Sequence, residues 1–205
     1  MGLKHYFSKD EDKKAKFIFN FIAPLYGIID RSISKEYKKV SKILDIEIPI
    51  RNKSILDIGT GTGSWLVALN EYDPSMAVGV DFSKKMLEHA KLNHPELEFK
   101  LVNGGNLKAF TDDSFDIVTA SYVLHGMKYE KRMQLLTEMK RVSKKYVIVH
   151  DFNGRTSPII HILEFFERSD YINFKKDFSN ELESIFEQIK IIKLKSGNAI
   201  YIGTS

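Results

Sequence analysis

The sequence predicts an α/β fold built on a mostly parallel sheet, and three features carry that prediction. Between about Lys53 and His150, short β-rich runs alternate with helical patterns. That order is the mark of successive βαβ units, whose sheet is covered by helices on both faces. The last two β-rich runs are joined instead by Lys195-Ser196-Gly197-Asn198, a short Gly-containing link that predicts an antiparallel hairpin at the C-terminal end. Finally, 205 residues with 43% hydrophobic and 28% charged content suit one sizeable core and argue against disorder.

Each element follows from local pattern. Ser54-Ile55-Leu56-Asp57-Ile58 reads as a buried strand that stops at glycine. Thr62 to Tyr72 reads as a helix with Trp65, Leu66 and Leu69 on one face. Met76 to Val80 is a second strand closed by Asp81, and Ser83 is placed to cap the next helix, whose apolar stripe is Met86, Leu87 and Ala90. Strands are expected over Leu97 to Val102, Phe115 to Ala120 and Tyr146 to His150, with a helix from Lys131 to Val142. Asn180 to Phe186 looks helical, and Ile189 to Leu194 and Ala199 to Ile202 complete a set of seven strands.

Residues 1–50 read as a helical element, with an apolar segment around Phe17 to Ile22 ended by Pro24 and a second helix from Lys35 to Leu44. Open α/β sheets bind ligands at their strand ends, so this element is expected to act as a lid. With no repeat or low-complexity linker, residues 1–205 are expected to form a single domain: lid 1–50, core 51–150, and acceptor-side insertion with hairpin 151–205. Ile159 to Phe166, with Tyr171 and Phe174, is the expected helical insertion, and His161 on it reads as packed or interfacial.

Composition removes several classes of function. The chain has no cysteine, which excludes disulfides, thiolate metal sites and a thiolate nucleophile. A net charge of +4 with scattered lysines disfavours a nucleic-acid partner. No apolar run approaches a membrane span and no signal core is visible, so a cytoplasmic protein is expected.

The chemistry centres on Ile55-Leu56-Asp57-Ile58-Gly59-Thr60-Gly61-Thr62-Gly63, a strand running into three alternating glycines that open a helix. Glycine admits positive φ and leaves no Cβ between backbone and ligand. A helix N-terminus favours an anionic group, while Asp57 adds a carboxylate beside the loop. Together they suit a ligand with an ammonium next to a carboxylate, as at the methionine end of S-adenosylmethionine. The rival dinucleotide fingerprint spaces its glycines G-x-G-x-x-G, whereas here Gly63 falls one residue early and Asp57 would repel a pyrophosphate. Asp81 ends the second strand, where a carboxylate can accept from both ribose hydroxyls of either kind of cofactor.

With Val78-Gly79-Val80-Asp81-Phe82-Ser83 and Asp113-Ser114-Phe115-Asp116-Ile117-Val118 added to the glycine loop, the chain resembles class I S-adenosylmethionine-dependent methyltransferases. Within them it is similar to the small-molecule branch that includes the ubiquinone/menaquinone biosynthesis methyltransferases. The resemblance implies a Rossmann-like seven-stranded sheet with S-adenosylmethionine as cofactor, S-adenosylhomocysteine as product, and no metal. It further implies that Asp57, Gly59, Thr60, Gly61 and Gly63 surround the methionine part, that Asp81 holds the ribose, and that Phe82 and Met86 lie against the adenine. Where many members have Gly-Asp-Ala after the third strand, this chain has Asn103-Gly104-Gly105, followed by Asn106. The aspartate that usually accepts from the adenine amino group is therefore missing, and Gly104, Gly105 and Asn106 stand in its place along the cofactor; Ser121 and Tyr122 follow the fourth strand near the sulfonium. Tyr26, in Ala23-Pro24-Leu25-Tyr26-Gly27, is the matching lid residue; glycine follows it where the quinone enzymes carry aspartate.

Methyl transfer from a sulfonium is an in-line displacement, and an acceptor with an acidic proton is helped by a general base. His125 is the first candidate, and His150 with Asp151, at the end of the fifth strand, the second. Ser121-Tyr122-Val123-Leu124 contains no proline and so lacks the motif of exocyclic-amine methylation on nucleic acids, which favours a small-molecule acceptor. Two rival functions stay open at this level: an NAD-dependent oxidoreductase and a non-catalytic cofactor-binding protein. The sequence leaves the oligomeric state open.

Overall fold

A computed structural model of the chain describes residues 33–102, 107–154 and 170–204. Tyr26, His161, the first part of the expected lid, Gly104 to Asn106 and the Ile159 to Phe166 segment lie outside the described residues.

Seven strands are present: β1 (Ser54–Ile58), β2 (Met76–Asp81), β3 (Glu98–Leu101), β4 (Phe115–Ser121), β5 (Ser143–Phe152), β6 (Gln188–Lys193) and β7 (Asn198–Thr204). They run in the order β3-β2-β1-β4-β5-β7-β6. The β1–β4, β2–β3 and β4–β5 pairs are parallel, whereas β7 is antiparallel to both β5 and β6. This is the mostly parallel Rossmann-like sheet with an antiparallel C-terminal hairpin that the periodicity predicts. The described helices are α1 (33–47), α2 (Ser64–Asn70), α3 (Lys84–Asn93), α4 (Tyr129–Val142) and α5 (Tyr171–Glu183).

Contacts divide the chain into two compact units, Met1–Asn52 with Gly59–Gly105, and Lys53–Ile58 with Asn106–Ser205. In the first unit α2 and α3 pack on β2, and α3 also packs on β3. Its core depends on absent side chains: a Cβ at Gly79 would stand 2.7 Å from the Thr60 hydroxyl and 2.8 Å from the Phe99 ring. Ser83 caps α3 through its hydroxyl, which accepts from the Met86 N–H, as its place before the apolar stripe predicts.

In the second unit every residue of β1 is buried, as befits a strand covered on both faces. Its N-terminal end is tied to β4 by Asp116, whose carboxylate accepts from the Ser54 N–H and hydroxyl, both at 2.8 Å. Helix α4 packs on β4 and β5, and α5 on β6. An ion pair binds the two helices: the Arg132 guanidinium donates twice to Glu181, at 2.6 Å on each arm, and also reaches Asp170. Arg132 is 1% exposed and Glu181 6%. A charge so buried is tolerated because it is paired and multiply hydrogen-bonded.

Most boundaries shift by one or two residues, and two elements depart further from expectation. Strand β5 begins at Ser143 rather than Tyr146, because an irregularity in the ladder lets Phe115 pair with Ser143. Helix α5 spans Tyr171–Glu183 instead of Asn180 to Phe186. Its buried face is Tyr171, Phe174, Phe178 and Leu182, a spacing of three and four residues. No helix among the described residues is long and apolar enough to cross a membrane.

Candidate functional site

Strand ends position the candidate side chains of each unit. In the first unit, the loop after β1 holds Gly59, Gly61 and Gly63 at φ of 67°, 54° and 87°. These left-handed values are what glycine admits and other residues resist. At Gly61 a Cβ would meet nothing within 4 Å, so the backbone there borders open space. The Gly63 N–H donates to the Thr60 carbonyl and the Thr60 N–H to the Val80 carbonyl, which fixes the loop on the end of β2.

Asp81 braces that loop. One carboxylate oxygen accepts from the Gly61 N–H at 2.9 Å and the other from the Ser83 N–H at 2.7 Å. Burial raises its pKa above the ordinary carboxylate value, and donation by the Ser83, Gly61 and Phe82 N–H groups offsets only part of that effect. Three N–H donors leave part of the carboxylate's acceptor capacity for a ligand donor. Phe82 is half-buried, whereas Met86 is 2% exposed and sits in the core face of α3.

In the second unit, Asp57 is 1% exposed in β1 and stands opposite Thr119 of β4. At the ends of β4 and β5 the structure brings together four residues that the sequence offers one by one. Ser121 and His150 face each other in the ladder, and the hydroxyl shares a hydrogen bond with His150 Nδ1 at 3.0 Å. His125, in a 3-10 turn spanning Leu124–Gly126, donates from Nδ1 to Asp151 Oδ1 at 2.7 Å. A carboxylate has no proton to offer, so the Nδ1 nitrogen carries the hydrogen and Nε2 is the basic nitrogen of the neutral ring.

Asp151 is itself held on every side. It accepts from the Leu124 and His125 backbone N–H groups on one oxygen and from the Phe152 N–H on the other. His125 is 8% exposed and lies among four rings: Phe152 at 4.8 Å, Phe174 at 6.3 Å, and Tyr122 and Tyr171 both at 6.4 Å between centroids. All four contacts are edge-to-face, the favoured geometry for such rings.

Tyr122 adopts φ 55°, an outlier for a bulky residue. Its N–H donates to the His150 carbonyl, its ring packs 4.9 Å from that imidazole, and its hydroxyl accepts from the Asn198 amide at 2.6 Å. Asn198, at the start of β7, is a member of this cluster that the sequence did not mark. Nearby, Tyr201 donates to the Phe152 carbonyl and accepts from the Asn153 amide, and burial pushes its phenol up to about 12. Among the described residues no group of three or more His, Cys, Asp or Glu is placed to hold a metal ion.

Comparison with known proteins adds an independent line. Residues 55–146 match a family model described as a methyltransferase domain. A demethylmenaquinone methyltransferase from Roseiflexus sp. (strain RS-1) is 36% identical over 125 residues, covering 57% of this chain and 52% of that protein. The demethylmenaquinone methyltransferase of Thermotoga maritima is 30% identical over 136 residues, covering 65% of this chain and 58% of that one. The chain thus spans little more than half the length of these curated relatives. Among solved structures, magnesium protoporphyrin IX methyltransferase from Synechocystis PCC 6803 with bound S-adenosylmethionine superposes with a TM-score of 0.61 at 15% identity, covering 83% of this chain and 78% of the other. At that identity the likeness is one of fold.

Proposed function

We propose that this chain, whose residues 55–146 match a methyltransferase domain, is a class I S-adenosylmethionine-dependent methyltransferase that transfers a methyl group from S-adenosylmethionine to a small-molecule acceptor, with residues 1–205 acting as one domain. The observation that carries the reading is the braced glycine loop. Three left-handed glycines leave the backbone bare over open space at Gly61, and a buried carboxylate with capacity to spare is anchored beside it. That combination fits a ribose diol on Asp81 and the adjoining part of the cofactor along the loop. Asp57, Thr60, Phe82, Met86 and Ser121, with Tyr26 and Gly104 to Asn106 beyond the described residues, complete the set implied by resemblance.

When bound, S-adenosylmethionine supplies an activated methyl group, and the protein's own contribution is orientation and proton handling. His125 accepts a proton at Nε2, because Asp151 occupies Nδ1 and fixes the tautomer. The Asp151 carboxylate then stabilises the imidazolium. Tyr122 and Phe152 hold the ring's orientation, and their apolar surfaces keep water from it. His150, bonded to Ser121, is the second proton-handling candidate. The two demethylmenaquinone methyltransferase relatives support a small organic acceptor over a macromolecular one.

Calorimetric titration with S-adenosylhomocysteine, run beside NAD, tests the reading. Binding of the homocysteine compound and not NAD is expected, with ~2.7 kcal/mol of stabilisation at about 100 times the dissociation constant. Binding of NAD alone would overturn it in favour of an oxidoreductase.

A further inference from the structure

Lys175 stands out among the cations of the second unit. Arg132 is paired with Glu181 and Asp170, and Arg141 with Glu138 and Asp112. The Lys175 ammonium instead donates to two neutral oxygens, the Tyr171 hydroxyl at 3.0 Å and the Gly154 carbonyl at 3.3 Å, and lies 4.1 Å from the Tyr171 ring centroid. No carboxylate among the described residues pairs with it. Lys140 is likewise held by a carbonyl, that of Ile185, but the ring beneath it is Phe186. The ring beneath Lys175 packs edge-to-face with both His125 and Phe152.

The physical cost of this arrangement is plain. Burial lowers the Lys175 pKa, and among the described residues no carboxylate stands close enough to offset it. Neutral oxygens satisfy hydrogen bonds without returning the charge–charge attraction that a carboxylate would supply. An ammonium has three donors, and only two are engaged here. A half-buried lysine with no acid beside it among the described residues, one ring away from a candidate general base, is the pattern of a site whose counter-ion arrives with a ligand.

We propose that Lys175 is a specificity-determining residue that binds a carboxylate carried on the methyl acceptor. The proposal rests on the methyltransferase reading above and adds the charge of the acceptor to it. A single ammonium suits one negative charge. Tyr171 packs edge-to-face with the His125 imidazole, so charge recognition and proton acceptance fall on neighbouring side chains of one unit.

Benzoate and its neutral isostere benzamide serve as probes, titrated into the full chain while the His125 imidazole resonances, assigned with a His125→Asn variant, are followed by NMR. Benzoate is expected to bind the wild-type protein and to bind Lys175→Met at least tenfold more weakly, with Lys175→Arg recovering part of the loss. Benzamide should bind all three alike. Equal benzoate affinity in Lys175→Met, or no benzoate binding to the wild type, overturns the proposal. A parallel titration with S-adenosylhomocysteine separates the sources of the carboxylate: unchanged affinity in Lys175→Met is expected, and a loss matching that of benzoate would assign Lys175 to the cofactor's own carboxylate and overturn the acceptor role. Failure of the wild type to bind S-adenosylhomocysteine would sink the methyltransferase reading whatever benzoate does. Melting supplies the structural control, since removing a partly buried charge that no described carboxylate pairs should leave the melting temperature level or raise it. A fall with benzoate binding intact would mark Lys175 as a tether between Tyr171 and Gly154 and nothing more.

Discussion

Replacing Asp81 with alanine removes the acceptor for the Gly61 and Ser83 N–H groups, and these two do not weigh equally. Ser83 is fully buried, so water cannot replace the lost oxygen there. An unsatisfied buried donor costs ~1–3 kcal/mol. Gly61 is half-buried and borders open space, so its N–H can be rehydrated, at a loss of about 0.5–1.5 kcal/mol. The ligand-free protein should therefore lose ~2–4 kcal/mol in urea unfolding. The sign of the pH dependence follows from the raised pKa of Asp81. Its contribution is fully present below the unfolded carboxylate pKa and declines as pH rises through the folded value, so the variant's deficit should be larger at acidic than at neutral pH. Affinity for S-adenosylhomocysteine should fall by ~1.5–3 kcal/mol, roughly 10- to 150-fold, as a charge-assisted pair to the ribose is lost. A variant that loses stability yet binds within about twofold of wild type would refute the ribose role and leave Asp81 as a brace for the loop.

Arg132→Met should destabilise the protein by ~3–5 kcal/mol because it strands the Glu181 carboxylate, and Arg132→Met with Glu181→Leu should recover most of that loss; urea unfolding of both variants checks this, and two equal losses would contradict it. Burial alone would raise the Asp116 pKa, but donation from the Ser54 N–H and hydroxyl and the charges of Lys144 and Lys53 outweigh it and hold the group below its ordinary value. Its contribution is therefore present above the unfolded pKa and is lost as pH falls through the folded one. Melting curves of wild type and Asp116→Ala should accordingly converge between neutral pH and about pH 3. Asp151→Asn replaces the acceptor facing His125 Nδ1, so imidazole nitrogen shifts should report loss of the fixed Nδ1–H tautomer; unchanged shifts would remove Asp151 from the positioning role.

The parts legible in the sequence are those governed by local rules. Strand periodicity, the Ser83 cap and the Gly197 hairpin depend on neighbours a few residues away, and Gly197 indeed sits at φ 90° in the turn before β7. What escaped depends on distant partners. The start of β5 is set by a ladder irregularity opposite Phe115. The Arg132–Glu181 pair joins residues 49 positions apart, and nothing in the local pattern of either names the other. His125 and Asp151 were readable as candidates, but their pairing needs β4 and β5 to end side by side. Helix α5 is a different case, for the Tyr171, Phe174, Phe178 and Leu182 stripe stands in the sequence and marks its extent. Asn198 and Lys175 carried no such signal, being polar residues of ordinary type whose importance comes from what they touch.

The left-handed Tyr122 has a consequence for anyone seeking to make this protein hardier. A bulky residue there holds ~1–3 kcal/mol of backbone strain, so an unbiased stability screen should favour glycine at position 122. That winner would take away one wall around His125, the hydroxyl that receives Asn198, and the ring lying on His150. Under the proton-accepting role proposed for His125, thermal resistance and turnover are set against each other at a single codon, and selection for heat tolerance alone would erode that role.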